Sequence, residues 1–195
     1  EAAANEIGAN SMLVRTGALY HDIGKILNPM YFIENQSTGV NPHNDLSPSD
    51  SAKIIIEHVI KGVELAKQYR LPDRIIDFIR THHGTSLVYY FYVKEQEQNL
   101  GEEVNVEKFQ YGGPVPFSKE TAILMICDAA EAASKSLQKP SAQSIDDLID
   151  KIVEKQKLDH QFINSDITFS EIEKIKKVIK RKLMNIYHVR VEYPD

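Results

Sequence analysis

Helical periodicity dominates the order of apolar and polar positions in this chain, with apolar residues returning every three to four places. A first helix is expected over residues 1–8 and a second from residue 11 to residue 21 or just beyond. Residues 28–47 (NPMYFIENQSTGVNPHNDLS) are rich in Asn, Pro, Ser and Gly. They read as a long irregular loop, and loops of that length inside a compact domain usually serve function. Ser47-Pro48-Ser49-Asp50 has capping-box spacing with proline at the first helical position. The helix it opens carries Ile54, Ile55, His58, Gly62, Leu65 and Tyr69 along one stripe. Leu71-Pro72 starts another, with Ile75, Ile76, Ile79, His82 and His83 on or near its apolar side and Gly84 as its stop. Residues 94–117 form a second irregular excursion, polar and then punctuated by Gly and Pro. Further helices are expected from Ser118 to about residue 137, from Ser144 to about 158, and from Thr168 or Ser170 to about 187. Only the closing HVRVEYP hints at an extended tail. The expected class is all-α, a single domain over residues 1–195.

Composition narrows the functional classes. With 42% hydrophobic residues the chain of 195 can bury a sizeable core, which excludes wholesale disorder. Its net charge of −5 argues against sequence-independent binding to duplex nucleic acid, but a bound metal can still attract a small phosphate ligand. One cysteine, Cys127, provides no internal disulfide or Cys-rich zinc site; it fits a reducing compartment and reads as a small buried side chain. The longest apolar run, residues 87–93, is far short of the ~20 residues that span a bilayer. The chain opens on Glu1 in a helix-forming run, as a piece of a longer protein would. Nothing in it fixes an oligomeric state.

The placement of the histidines points to chemistry. His21 and Asp22 are adjacent in GALYHDIGK, His58 lies on an apolar helix face, His82 and His83 end the next helix, and Asp128 sits in the apolar run AILMICDAAEAA. Burying such a carboxylate is costly unless a cation or good donors accept it. Imidazoles and carboxylates projecting into a helical bundle build mixed N/O metal sites, and two metals bridged by one carboxylate would account for so many inward candidates. Each group also has an ordinary reading. His58 would be a hydrogen-bonded core residue, and His21-Asp22 a polar cluster at a helix end. His82-His83 would be favourable charges at a helix C-terminus, and Asp128 an ion-pair partner. One site accounts for them all at once.

The order His-Asp, His, His-His, Asp resembles the HD-domain phosphohydrolase superfamily, in the subset that holds two metals. HDIGK, YFIENQ, NPHNDLSPS, HVIKGVELAKQYRLP, IIDFIRTHHGTSLVYYFY and NIYHVRVEYP look, more closely, like the intracellular HD domain of bacterial seven-transmembrane HD proteins, over essentially the whole chain. That resemblance implies an HD-domain helical bundle with a di-metal site in its core, and a phosphodiesterase that converts cyclic di-AMP to linear pApA. It also implies upstream extracytoplasmic and transmembrane regions, absent from this sequence, that would keep the domain at the cytoplasmic side of the membrane. Carried over residue by residue, Asp22 bridges both metals, His21 and Asp128 bind one, and His58 and His82 bind the other. His83 is a further ligand or a donor to the substrate phosphate, and Lys25 serves a non-bridging phosphate oxygen. The family's first histidine has no counterpart before His21 and would lie upstream of Glu1.

Such a pair of cations, about 3.5–4 Å apart, activates water and stabilises in-line displacement without a protein nucleophile. Iron or manganese suits N/O ligands, with zinc as the other candidate. Tyr89, Tyr90 and Tyr92, in the aromatic run after His-His-Gly-Thr, offer rings on which an adenine can stack, with core packing as their ordinary role. His43 in the long loop is expected at the surface. The rival readings are an HD hydrolase of another nucleotide (cyclic di-GMP, a deoxynucleoside triphosphate or an alarmone) and a non-catalytic nucleotide-sensing module. Against the cyclic di-GMP type, His83-Gly84-Thr85 stands where a Gly-Tyr-Pro signature would follow the double histidine.

Overall fold

Each of the longer helices begins where a side chain satisfies its first free backbone N–H groups. In the computed structural model, which describes residues 1–36, 41–99, 103–138 and 140–188, Ser47 accepts from the Asp50 amide and Pro48 opens α3 (Pro48–Gln68). Ser118, Ser141 and Thr168 each close a reciprocal capping box, at the heads of α6 (Lys119–Ser134), α7 (Ala142–Leu158) and α8 (Phe169–Ile186). The remaining helices are α1 (Ala2–Glu6), α2 (Ser11–Tyr20), α4 (Asp73–Thr81) and α5 (Tyr89–Gln98). Among the described residues the only β pairing is an isolated antiparallel bridge between Leu87 and Gln110, so the all-α expectation holds. The extended tail expected at the C-terminus falls almost wholly on residues 189–195, outside the described part.

Three local expectations differ from the structure. Residues 89–98 are helical although nothing in YYFYVKEQEQ forms an apolar stripe; α5 is held instead by Phe91, buried with Ala52 and Phe109. The helix expected from Ser144 starts at Ala142, because Ser141 is the residue that caps it. The long loop expected over residues 28–47 contains short 3-10 turns at Pro29–Tyr31, Ile33–Asn35 and Pro42–Asp45, and a further 3-10 turn, Ile23–Leu27, precedes it.

The chain divides into two compact units: Glu1–Thr16 with Val115–Asp195, and Gly17–Pro114. In the first, α6, α7 and α8 pack on one another and α1 lies against α6 and α8. Its core is rich in isoleucine, with Ile123, Ile126, Ile145, Ile149 and Ile175 fully buried. In the second, α3 is the central rod. It touches the Ile23–Leu27 turn, α4, α5 and the 3-10 turn Val106–Phe109. Ala66, Ile76 and Ile79 form the core on one side of it, and Ala52, Phe91 and Phe109 on the other.

Glycine makes the closest of these contacts. A Cβ on Gly24 would lie 1.9 Å from the His58 carbonyl oxygen and 2.6 Å from the Gly62 nitrogen. Only a residue without a side chain lets the turn after Asp22 lie on the backbone of α3 at His58.

Candidate metal centre

Asp22 is the residue just before the Ile23–Leu27 turn, which the glycine contact holds against α3, and three imidazoles converge on its carboxylate. His21 Nε2 lies 3.2 Å from Oδ2, while His58 Nε2 and His82 Nε2 lie 3.3 and 3.6 Å from Oδ1. The two histidine nitrogens are themselves 3.2 Å apart. Each ring is oriented by the backbone of its own segment: Nδ1 of His21, His58 and His82 bonds the carbonyl three residues earlier, at Ala18, Ile55 and Ile79. With Nδ1–H donating there, Nε2 of the neutral ring carries a lone pair, the arrangement that metal-binding histidines use.

Those lone pairs face one another and a carboxylate oxygen that is buried without a hydrogen-bond partner, an arrangement that is unfavourable unless a cation lies between them. Two donors each about 2.1 Å from a shared first-row ion lie about 3.0 Å apart at a right angle and about 3.4 Å at the tetrahedral angle. The separations of 3.2 and 3.3 Å fall in that range, and the 3.6 Å between His82 and Asp22 lies just beyond it. Ligand atoms within 4.8 Å of one another form two overlapping groups, His21, Asp22 and His82, and His58, His82 and His83. The residues therefore fit divalent ions held by imidazole and carboxylate.

The electrostatics agree with that. Burial, reinforced by His82 and His58, pushes His83 well below the ordinary histidine value, so its ring is neutral at physiological pH. Lys25 Nζ lies 2.8 Å from Asp22 Oδ2 and 2.6 Å from Glu34 Oε1, above the Phe32 ring at 5.1 Å. Burial works against its ammonium, yet the charges and hydrogen bonds of Asp22 and Glu34 keep its pKa above the ordinary lysine value.

The structure thus gathers His21, Asp22, Lys25, His58, His82 and His83 in one unit. Asp128 lies on α6, in the other unit. Tyr89 and Tyr90 stand exposed at the head of α5, with Lys94 Nζ 5.4 Å from the Tyr90 ring. Tyr92 packs edge-on to Phe109 and its hydroxyl accepts from Gln96. His43 departs from its surface expectation: it is buried between Tyr31 and Phe91, with Nε2 2.9 Å from the Tyr31 carbonyl oxygen. The 3-10 turn at Pro42–Asp45 folds it inward.

Sequence reasoning missed two residues. Glu34, which pairs with Lys25, stands in the quoted YFIENQ but belongs to no periodic element. Tyr111 stacks on His83 with centroids 4.3 Å apart and planes inclined 23°. It is carried there because Val88 N bonds Phe109 O and Tyr111 N bonds Ser86 O around the Leu87–Gln110 bridge. A pairing of so few residues leaves no sequence signal.

Known proteins carry similar sequence and structure. The family model described as HD domain matches residues 1–133. A protein of Listeria monocytogenes named cyclic-di-AMP phosphodiesterase PgpH is 47% identical over all of this chain, and its Bacillus subtilis namesake is 43% identical. The chain spans 27% of the length of each of these relatives. The crystal structure of the L. monocytogenes PgpH HD domain in complex with cyclic-di-AMP superposes with a TM-score of 0.91 at 46% identity, covering 95% of this chain and 86% of that one. With the family model covering more than half its length and the histidines and aspartate of its second unit converging on one centre, this chain belongs to the HD-domain family.

Proposed function

We propose that this chain is the metal-dependent phosphodiesterase part of a longer bacterial protein, and that it hydrolyses cyclic di-AMP to linear pApA. The observation that carries the reading is the convergence of three backbone-oriented imidazoles on Asp22 beside a lysine held at two points. The naming of the PgpH relatives and the ligand of the solved HD domain support the choice of substrate.

His21, Asp22, His58, His82 and His83 would hold two divalent ions, iron or manganese. Such ions supply positive charge to the phosphate and make water nucleophilic at neutral pH. The protein's own groups do the rest. Lys25, aimed by Glu34 and Asp22, donates to a non-bridging phosphate oxygen. His83, neutral and fixed against Tyr111, is placed to serve the phosphate as a hydrogen-bond donor. Water adds to phosphorus, the P–O3′ bond breaks, and the 3′ oxygen leaves with a proton, giving a dinucleotide with one terminal 5′ phosphate. Among the described residues no helix is long and apolar enough to cross a membrane. We place the domain at the cytoplasmic side of the membrane, attached through segments of the longer protein.

The test is hydrolysis of cyclic di-AMP by the purified chain loaded with Mn²⁺ or Fe²⁺, beside cyclic di-GMP, with products resolved chromatographically and metal content measured. Conversion to pApA, faster than cyclic di-GMP turnover and lost in Asp22→Ala, is the expected result. No turnover at full metal loading, or an Asp22→Ala variant as fast as the parent, overturns the reading.

A further inference from the structure

The stretch from Pro29 to Asn35 brings two groups to Lys25. Glu34 accepts a hydrogen bond from its ammonium at 2.6 Å, and the buried Phe32 lies 5.1 Å from that ammonium and edge-on to His58. The other hydrogen bonds of the stretch are local. Tyr31, Phe32, Asn35 and Gln36 donate through their backbone N–H to carbonyls three residues back, and the Gln36 side chain reaches only to Met30. Such bonds stiffen each 3-10 turn without fixing the stretch to the rest of its unit, and Met30 and Ile33 are exposed. His43 ties it outward: its Nε2 lies 2.9 Å from the Tyr31 carbonyl oxygen, twelve residues away in the chain.

Facing a carbonyl oxygen, Nε2 is the protonated nitrogen of that ring, which leaves Nδ1 as an acceptor. Nδ1 is buried without a hydrogen-bond partner. The ring is enclosed by Tyr31 and Phe91 at centroid distances of 5.2 and 4.9 Å. A polar atom left so in aromatic surroundings costs free energy that a phenylalanine would not. What the imidazole adds over a phenylalanine is the bond to Tyr31. Its own place is fixed, because Asn41 Oδ1 accepts from the His43 amide and Phe91 belongs to the core with Ala52 and Phe109.

We infer that His43 is a positioning residue for Lys25: by holding the Tyr31 carbonyl it fixes the turns that carry Phe32 and Glu34, and so aims the ammonium at the phosphate. The inference rests on the phosphodiesterase reading for the role of Lys25 and goes beyond it in naming what holds the lysine in place. Packing of Phe32 keeps the stretch down but is non-directional. The hydrogen bond from His43, to the residue just before Phe32, sets its rotation. When the turns shift, Glu34 leaves Lys25, and Asp22 remains as the partner that draws the ammonium away from the phosphate.

Lys25 reports the effect without any turnover. Its amine reacts with acetic anhydride only when deprotonated and accessible, and its bonds to Asp22 and Glu34 oppose both. Competitive acetylation, read by peptide mass spectrometry, compares the parent chain with Glu34→Gln, His43→Phe, His43→Leu and His43→Gln. Lys176, a largely covered lysine of the other unit, is the reference for general loosening. We expect the Lys25 rate relative to Lys176 to rise about threefold or more in Glu34→Gln, His43→Phe and His43→Leu. Either apolar variant of His43 suffices if the other does not fold. His43→Gln, whose amide donates from about the same reach, should stay within about twofold of the parent. With Mn²⁺-loaded chains and cyclic di-AMP, kcat should fall about tenfold in the two apolar variants and recover in His43→Gln, with KM and metal content nearly unchanged. In a Lys25→Met chain, His43→Phe should cost less than about twofold more, because the group it positions is gone.

Lys25 labelling unchanged in both apolar variants, or a loss of kcat as large in the Lys25→Met chain as in the parent, overturns the inference. A parent chain that binds metal but cleaves no cyclic di-AMP, with Lys25 labelling that still rises in the variants, defeats the catalytic reading and leaves His43 as the residue that places Lys25.

Discussion

Gly24→Ala is the substitution that most directly tests how the metal centre is assembled. The new Cβ would sit 1.9 Å from the His58 carbonyl oxygen, 2.8 Å from the His58 carbonyl carbon and 2.6 Å from the Gly62 nitrogen. All three are backbone atoms of α3, so no rotamer change relieves the clash. Contacts below about 3 Å are not tolerated, and the turn must back away from the helix by about 1 Å. Overpacking of this kind costs about 1–3 kcal/mol, or about 4–8 °C of Tm for a loss near 2 kcal/mol in a chain of this size. The functional loss should be larger than the stability loss. Asp22 and His58 are on the two elements being pushed apart, and their 3.3 Å separation would exceed what one shared ion bridges. A misplacement of about 1 Å can cost about 100-fold in rate. The measurements are metal content after dialysis, a thermal melt, and phosphodiesterase turnover. Gly62→Ala is the graded comparison, since its Cβ meets first a side-chain methyl, Cγ2 of Ile79, at 2.9 Å and backbone only at 3.3 Å; it should lose less in every assay. A Gly24→Ala chain with parental metal content and Tm would refute the claim that this backbone contact sets the distance between Asp22 and His58.

Other expectations follow from single contacts. Glu34→Gln removes one of the two charges that hold Lys25, so kcat/KM should fall about tenfold, equivalent to about 1.4 kcal/mol, with metal content unchanged. Phe109→Ala empties a fully buried position under the segment that carries Tyr111. It should cost about 3–5 kcal/mol in denaturant or thermal unfolding. Glu171 ties α8 to Lys119 of α6, and that ammonium, with the Thr168 amide, holds its carboxyl down at about 2. Because this lies below the unfolded value, the stabilisation is complete above about pH 4.5 and disappears as pH falls through 2. Glu171→Gln should accordingly lower Tm at pH 7 by about 2–4 °C, the equivalent of about 1 kcal/mol for a solvent-screened pair. That deficit should shrink towards pH 2.

The parts of this molecule that could be read in the sequence are those that local rules determine. Ser47 with Pro48, Ser118 and Thr168 mark helix starts because a cap needs only the next three residues. The histidines stood out because His58 and His82 occupy buried faces of helices whose apolar stripes are regular. What stayed hidden depends on contacts between segments distant in the chain. Tyr111 reaches His83 through a bridge of a few residues, Glu34 reaches Lys25 from a 3-10 turn, and Gly24 matters because the backbone of His58 and Gly62 lies against it. The start of α5 was masked by an aromatic run with no stripe, which becomes helical through tertiary packing on Ala52 and Phe109.

The same distinction sets a prediction for Asp22 in which stability and metal affinity part company. The rings of His21, His58 and His82 are oriented by carbonyls of their own segments, not by the carboxylate they face. Asp22→Asn should therefore leave them in place. Without an ion, the parent chain sets a carboxylate against two or three imidazole lone pairs, which is repulsive; an asparagine amide can instead donate to one of them, while Lys25 keeps its bond to Glu34. The metal-free variant should melt at or above the temperature of the metal-free parent. Metal binding should move the other way, since the shared anionic ligand is gone and an amide oxygen is a poor substitute for it. The comparison is Tm with and without added Mn²⁺: the parent should gain several degrees on addition, as a ligand that binds only the folded state requires, and the variant little or nothing. A metal-free Asp22→Asn chain that melts well below the parent would mean that the carboxylate holds the rings, and that the backbone bonds at Nδ1 are not sufficient to orient them.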